Sequence, residues 1–527
     1  MESTTATEAR VRGASKKRWR SVIRFGGFEY GYQQGVLGQS LVMTRFTTNF
    51  PMVIASSSAT GWLTSVLQLG GIIGSISAGV LGEVFSRKYT MFSACCWVIL
   101  GSYMYCGAHY GAPSLLYAGR FFTGLGVGTF SGLRGFLVSF YQFATILGIM
   151  LSFWCGYGSN YIGGTGDSQS NLAWRLPSII QGIPAICLAI GIWWMPFSPR
   201  WLIRKGREEK AIRTLAWLRK LPLDHELIQI EFLEIKAECL FEERVFAREH
   251  PKIAEKEKTS VWTREMAQYI NIVRSWDKFK RVATAWLVMF FQQWSGIDSI
   301  IYYASDVFVS LGLTGGTTAL LATGVTGVVF FVSTLPAMAV IDKVGRKPML
   351  LVGSAVMFVS MVITGIIVAK FRHDWKAHAN AGWTAVAFIW VYIGAFGATW
   401  GPASWTLVSE IFPLSIRAKG ASIGASSNWI NNFAIAFMVP PMFAAWAWGT
   451  YIFFSVFLAA GFVWVVFALP ETKNRTLEDM DRAFKSHTGE ADQALLAAAR
   501  RDVGLDSELE VEAIEAVEHK DRNLEDP

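Results

Sequence analysis

Two adjacent glutamines, Gln292 and Gln293, lie inside a long apolar run of this 527-residue chain. A glutamine amide carries both hydrogen-bond donors and acceptors, and burying it without partners costs free energy. Inside a membrane, such a pair must face a polar cavity or hydrogen-bond a neighbouring helix. The pair therefore marks either a site for a hydrogen-bonding solute or a contact between helices.

A second chemical pattern is a short charged sequence that occurs twice. Glu83 precedes Arg87, and Asp342 precedes Arg346, each time where an apolar run ends. A carboxylate at a helix end can bind an arginine of a neighbouring segment in one conformation and release it in another. Surface charge that only stabilises a loop is the alternative, and it is worth little per pair. We interpret the pattern as a gate whose predicted residues are Glu83, Arg87, Arg134, Asp342 and, in one cluster, Arg346, Glu410 and Arg417.

The composition indicates a membrane protein. The chain is 52% hydrophobic and only 17% charged, with a mean hydropathy of +0.33. The net charge of +8 does not indicate nucleic-acid binding, because the cations gather at the ends of apolar runs. The six cysteines show no disulfide or zinc spacing. The sequence offers no serine-histidine or paired-carboxylate arrangement either, so we expect no enzyme activity, cofactor or metal.

The apolar runs are long enough to predict twelve membrane helices, since a spanning helix needs about 20 mostly apolar residues. The predicted limits are 22–43, 61–82, 89–109, 113–131, 135–157, 177–196, 281–308, 318–341, 348–369, 382–408, 420–446 and 449–469. We therefore expect an all-α membrane protein with two pseudo-symmetric six-helix bundles.

The charges between these runs predict the topology. The basic N-terminus precedes the first run without a cleavage site, and most loop cations then fall on its side, so both termini are expected in the cytosol. The tail after Pro470 is expected to be solvated and partly disordered. The predicted divisions are a basic N-terminus (1–21), a first bundle (22–196), a helical cytosolic linker (197–280), a second bundle (281–469) and an acidic tail (470–527).

Three pairs of marks recur in the same order in the two halves, which makes chance an unlikely explanation. They follow the second and eighth, the fourth and tenth, and the sixth and twelfth spans. The pairs are Arg87 with Arg346, Arg134 with Arg417, and Pro196-Phe-Ser-Pro-Arg with Pro470-Glu-Thr-Lys. Repeated halves of this kind bind solute near the bilayer midplane, between them.

These motifs closely resemble those of the sugar transporter family of the major facilitator superfamily, and most of all those of fungal hexose or monosaccharide transporters. The resemblance runs from residue 21 to about residue 480. Its further motifs are Gly31-Tyr-Gln-Gln-Gly35, Gly119-Arg-Phe121, Trp174-Arg-Leu-Pro177, Gln292-Gln-Trp-Ser-Gly-Ile-Asp298-Ser-Ile-Ile-Tyr-Tyr303 and Trp400-Gly-Pro402.

The resemblance implies a sugar site, which needs amides for the hydroxyls and an aromatic wall for the C–H faces. It assigns substrate contacts to Gln142, Gln292, Gln293, Asp298, Trp405, Asn428 and Asn432. Interhelical hydrogen bonding is the alternative for each amide. We favour ligand contact for Gln292, Gln293 and Asn428, and both interpretations stay open for Asn432 and Gln142.

Proton coupling is a separate question. Proton-coupled relatives commonly carry an aspartate at the position of Gln33, opposite the arginine matched by Arg120. A glutamine cannot take up a proton in the physiological range, which favours facilitated diffusion. Glu29, one helical turn before Gln33, and Asp298 are the fallback proton carriers.

The chain departs from the family pattern between Arg120 and Arg134, where relatives are longer and carry a proline, tyrosine and glutamate element. These fourteen steps cover only about 21 Å of helix. The fourth span is therefore expected to be shortened, and it can cross only by starting well before Arg120.

The expected function is movement of a monosaccharide or related polyol by alternating access, with a monomer in the plasma membrane as the working unit. Two alternatives remain. One is a non-transporting nutrient receptor on the same fold. The other is a permease for another polyhydroxylated solute such as quinate, although Asp298 disfavours an anion.

Overall fold

A computed structural model describes residues 17–110, 112–132, 138–255, 260–313, 316–473, 475, 477–484, 486 and 488–506. These residues form two bundles of six membrane helices, as the sequence predicts. In the first bundle they are α1 (Lys17–Ser40), α2 (Ser57–Val84), α3 (Arg87–Cys106), α4 (Ser114–Gly132), α5 (Val138–Ser159) and α6 (Leu172–Trp193).

The second bundle repeats the first with broken helices. Its members are α7 (Trp276–Trp294, continued by Ile297–Ser310), α8 (Gly316–Val344), α9 (Arg346–Phe371), α10 (Ala379–Ala398, continued by Trp400–Glu410), and α11 and α12, which share the run Arg417–Ala468 on either side of Trp446. The sequence predicts unbroken α7 and α10, whereas the backbone breaks both, because Gly296 adopts φ 93° and Thr399 adopts φ −132°, ψ −83°. The predicted boundary between α11 and α12 coincides with a kink at Trp446, which leaves the helical region.

The two bundles meet through equivalent helices. α2 packs against α11, and α5 packs against α8. Because α2 corresponds to α8 and α5 to α11 when the halves are exchanged, these two contacts are related by the pseudo-symmetry. Six helical runs in the described part are each long and apolar enough to cross a membrane by length and composition.

The fourth predicted span is a continuous helix of nearly the required length in spite of the departure in sequence. α4 begins at Ser114, six residues before Arg120, and its 19 residues reach about 28 Å, close to the thickness of the hydrocarbon core. Its glycines let it lie against α2 backbone to backbone: a Cβ on Gly124 would meet the Leu67 carbonyl oxygen at 1.9 Å, and one on Gly128 the Gly71 carbonyl oxygen at 2.2 Å. Arg134 lies outside the described residues.

The helices of the linker and of the C-terminal part lie on one side, here called the linker side, whereas the short helices Thr44–Asn49 and Pro51–Ile54 lie on the other. The linker contributes Pro199–Arg204, Glu208–Arg219, Glu226–Glu249, Pro251–Ala254 and Val261–Arg274, and the C-terminal part contributes Leu477–Phe484 and Thr488–Asp502. The expectation of a solvated, partly disordered tail is wrong for these last two helices. They are anchored because Asp481 pairs with the buried Arg281 of α7, while Leu495, Leu496 and Ala499 pack on the linker.

Candidate functional site

Gln292 of the predicted glutamine pair reaches the backbone of α10 just beyond the break in that helix. Gln292 Nε2 donates to the Trp400 carbonyl oxygen at 3.1 Å, and Asn428 Nδ2 donates to Gln292 Oε1 at 3.1 Å. All three groups are buried. The structure thus brings α7, α10 and α11 together around neutral hydrogen-bonding groups.

A second set of contacts continues from this cluster toward the first bundle. Asn432 Nδ2 donates to Asp298 Oδ2 at 2.6 Å, and Tyr302 Oη donates to Asn432 Oδ1 at 3.0 Å. Gln34 Nε2 of α1 donates to Tyr302 Oη at 3.1 Å. This chain of polar side chains therefore connects α1 with α7 and α11.

Gln293 keeps unused hydrogen-bonding capacity. It hydrogen-bonds Asp298, but its Oε1 is buried with no hydrogen-bond partner among the described residues. A buried acceptor without a partner is costly, so this oxygen is suited to receive a hydroxyl donor from a solute.

Two further predicted contacts, Gln142 and Trp405, lie on α5 and α10. Gln142 on α5 is half-buried and faces α10, where a Cβ on Gly401 would lie 3.7 Å from its Nε2. Trp405 is buried on the same segment of α10. The amides of Gln292 and Asn428 also serve as contacts between helices, as the alternative interpretation predicts.

Sequence reasoning missed three polar groups of the chain between the halves: Gln34, Gln68 and Tyr302. Gln68 on α2 places its amide oxygen 2.8 Å from Tyr302 Oη in the orientation that satisfies the surrounding donors and acceptors. The signal was available, since Gln34 and Gln68 are glutamines inside apolar runs, the same feature that singled out Gln292.

A cavity of about 260 Å³ opens between the halves on the side opposite the linker, here called the cavity side. Its walls come from Leu41, Ile54, Ser57 and Thr60 of the first half and from α7 and α11 of the second. Tyr303 lines it and directly follows Tyr302. The cavity therefore lies next to the polar cluster along α7.

On the linker side, Arg346 joins three acids. Its Nη2 donates to Glu410 Oε1 at 2.6 Å and to Asp342 Oδ1 at 2.9 Å, and its backbone N–H donates to Glu471 Oε1 at 3.0 Å. Burial alone raises the pKa of the Glu471 carboxyl, but hydrogen bonds from four backbone N–H groups outweigh it, so the net pKa is lowered. Thr472 Oγ1 donates to the other oxygen of Glu410 at 2.7 Å.

Arg417 stands apart from this cluster, against the expectation. Its Nε donates to the Phe412 carbonyl oxygen at 3.3 Å, because α11 begins at Arg417 itself and the side chain turns back onto the loop before it.

The first half is arranged differently from the second. Glu83 pairs with Arg204 of the linker, which also pairs with Glu242. Arg87 is exposed at the first residue of α3. The pseudo-equivalent residues Glu83 and Asp342 therefore bind arginines from different parts of the chain.

Among the residues considered for proton coupling, Glu29 and Gln33 lie on α1 and Arg120 lies on α4. Gln33 Nε2 lies 3.4 Å from Glu29 Oε1, so the two side chains do share a helix face. Arg120 is buried and donates from Nη2 to the Thr64 carbonyl oxygen at 3.3 Å. The small cavity of about 10 Å³ beside Arg120 is lined by Gln33 and other neutral residues.

Comparison with known proteins decides the family. Residues 19–484 match the model of the family described as "Sugar (and other) transporter". The chain belongs to this family. Its members are transporters, and the plain consequence is that this chain is a multi-pass membrane transporter with the major facilitator fold.

Individual relatives cover most of the chain. A probable quinate permease of Aspergillus fumigatus is 31% identical over 515 residues, which cover 92% of this chain and 90% of the relative. A quinate permease of Emericella nidulans is 31% identical over 88% of this chain and 87% of its own length. The major facilitator-type transporter ecdD of Aspergillus rugulosus is 30% identical over 90% of this chain and 88% of its own length.

Solved structures of the family share the fold. The proton:xylose symporter XylE bound to 6-bromo-6-deoxy-D-glucose is 25% identical with a TM-score of 0.67, over 88% of this chain and 98% of that one. A partially occluded inward-open form of XylE from E. coli has a TM-score of 0.65 at 23% identity, and the match covers 87% of this chain and 98% of that one.

Proposed function

We propose that this transporter moves a neutral polyhydroxylated solute, a monosaccharide or polyol, across the plasma membrane by alternating access. The linker side is cytosolic in this proposal, with both termini there, and the monomer is the working unit. The observation that carries the proposal is the cluster of amides and hydroxyls between the halves. It extends from Gln292 and Asn428 to Gln34 of α1.

The chemistry of this cluster suits hydroxyls. An amide both donates and accepts, so Gln293 and Asn428 match either role of a sugar hydroxyl. Trp405 on α10 and the tyrosines of α7 supply flat apolar surface for C–H faces. A discontinuous helix such as α10 is also the form that transporter sites take near the midplane.

Facilitated diffusion is the proposed mode. Gln33 cannot carry a proton, and Glu29 bonds Gln33 on the same helix. Sugar-evoked proton uptake in vesicles that disappears in Glu29→Gln would make the chain a symporter instead.

Quinate is the second candidate solute, because two of the relatives above are named as quinate permeases. A radiolabelled uptake panel in cells without their own hexose carriers, run with and without a protonophore, tests both candidates. Saturable uptake of a hexose or polyol supports the proposal, and uptake of quinate alone overturns it. Surface-expressed protein that moves no member of the panel would point to a receptor.

A further inference from the structure

One acid lies on the path that a solute must follow. Asp306 is exposed on the second segment of α7 and lines the cavity between the halves. It is three residues, nearly one helical turn, beyond Tyr303, on the cavity side of the polar cluster.

The surroundings of Asp306 leave its charge uncompensated. Among the residues that the structure describes, the others that line the cavity are apolar or carry neutral hydroxyl groups, and none of them is a cation. Within the described residues, Asp306 forms no ion pair with any lysine or arginine. Two hydroxyls of the wall are already committed to the backbone, since Thr60 Oγ1 donates to the Val53 carbonyl and Ser310 Oγ to the Val307 carbonyl.

Two cations of the cavity side are engaged elsewhere. Arg45 donates from Nε to Asn171 Oδ1 at 3.2 Å, and Arg175 donates from Nη2 to the Ala108 carbonyl oxygen at 2.8 Å. Beyond the cavity, the polar cluster contains a second carboxyl, Asp298, held by Asn432. A carboxylate solute would meet like charge first at Asp306 and again at Asp298.

We propose that Asp306 is a specificity-determining residue that disfavours anionic solutes and leaves neutral polyols unaffected by charge. This inference rests on the proposed function and narrows it, because it places quinate and other sugar acids among the poor substrates of this chain. Low-dielectric walls focus the field of such a charge along the cavity. A carboxylate passing about 6 Å away would be disfavoured by roughly three- to tenfold.

The test compares solutes that differ only in charge. Uptake of the best neutral solute of the panel is competed with quinate and, separately, with its methyl ester, and likewise with glucuronate and glucose. Wild-type protein should be inhibited more strongly by the neutral member of each pair. In Asp306→Asn the ratio of the two inhibition constants should fall by roughly three- to tenfold, and in Asp306→Lys it should fall further. Asp306→Glu should keep the wild-type ratio.

Two controls separate this filter from general effects. Asp167→Asn removes an exposed acid on the same side that does not line the cavity, and should leave both inhibition constants unchanged. In wild type, lowering the ionic strength should widen the ratio. If the ratio is the same in wild type and Asp306→Asn, the inference is overturned while the proposed function stands. If no neutral solute is taken up or competes, the proposed function is wrong and the inference falls with it.

Discussion

The indole Nε1 of Trp429 on α11 donates to the hydroxyl of Ser131 on α4 at 3.0 Å, across the boundary between the two halves. The same ring packs on Tyr30 of α1 with 5.1 Å between ring centroids, and a Cβ on Gly71 of α2 would lie only 2.4 Å from it. One side chain of the second half therefore contacts three helices of the first. Since the cavity opens on the opposite side, this contact helps to close the route toward the linker side.

Removing the Ser131 hydroxyl should favour the form that is open toward the linker. A neutral hydrogen bond is worth about 1 kcal/mol, which shifts a two-state population about fivefold. In a protein without its native cysteines, Ser310, which lines the cavity, is replaced by cysteine and labelled with an impermeant maleimide. We expect Ser131→Ala to lower the extent of this labelling. Unchanged labelling in Ser131→Ala and in Trp429→Phe would contradict this role.

The Arg346 cluster should contribute unequally through its two side-chain acids. Glu410 is 31% exposed and hydrogen-bonded to Thr472 as well, whereas Asp342 is 78% exposed. A double-mutant cycle on thermal stability in detergent should give about 1–3 kcal/mol of coupling for Arg346 with Glu410, and below about 0.5 kcal/mol for Arg346 with Asp342. Equal coupling energies would show that exposure does not set the strength of these pairs.

The tail is expected to be sensitive to the loss of Asp481. The side chains of Arg281 and Asp481 are 1% and 2% exposed, and Asp481 also accepts hydrogen bonds from the backbone N–H groups of Gly489 and Glu490. Asp481→Asn leaves a buried guanidinium without its counter-charge, so we expect a loss of about 3–5 kcal/mol and a lower Tm in detergent. The double variant Arg281→Met/Asp481→Leu should recover part of this loss. A Tm for Asp481→Asn equal to that of wild type would contradict the anchoring role.

Acidification should loosen the contact made by Glu471. The net pKa of this carboxyl is lowered because four backbone N–H donors outweigh the effect of burial. Its stabilisation is thus present above the unfolded-chain value of about 4.3 and is lost as the pH falls through the lower folded-state pKa. Glu471→Gln should lower Tm at neutral pH and reduce the further fall of Tm below about pH 4. An unchanged profile would show that the contact does not support the fold.

The membrane architecture could be predicted from the sequence because the length of an apolar run is a local property. The breaks could be predicted only in part. Thr399 interrupts α10 close to Gly401-Pro402, a pair that favours a turn. The position of the break also involves tertiary packing, because the Trp400 Nε1 donates to the Leu350 carbonyl and Ser354 Oγ of α9.

The candidate site was only partly accessible to sequence reasoning. Gln292 and Gln293 are marked by the cost of an amide in an apolar run, and Gln34 and Gln68 carry the same mark. The pairing of Asn432 with Asp298 across 134 positions needs the fold. Glu83 is the clearest example of this limit. Its repeat with Asp342 predicts equivalent partners, yet Glu83 binds Arg204 of the linker whereas Asp342 binds Arg346, four residues further on.

The most direct test of the central claim is saturable uptake of the panel's best neutral solute by Gln293→Ala and Asn428→Ala, with surface expression measured in parallel. If the amides between the halves hold the solute, each variant should lose at least about tenfold in uptake efficiency at wild-type surface levels, since each lost hydrogen bond to a solute costs on the order of 1.4 kcal/mol. Wild-type uptake in both variants, correctly inserted, would show that the solute binds elsewhere.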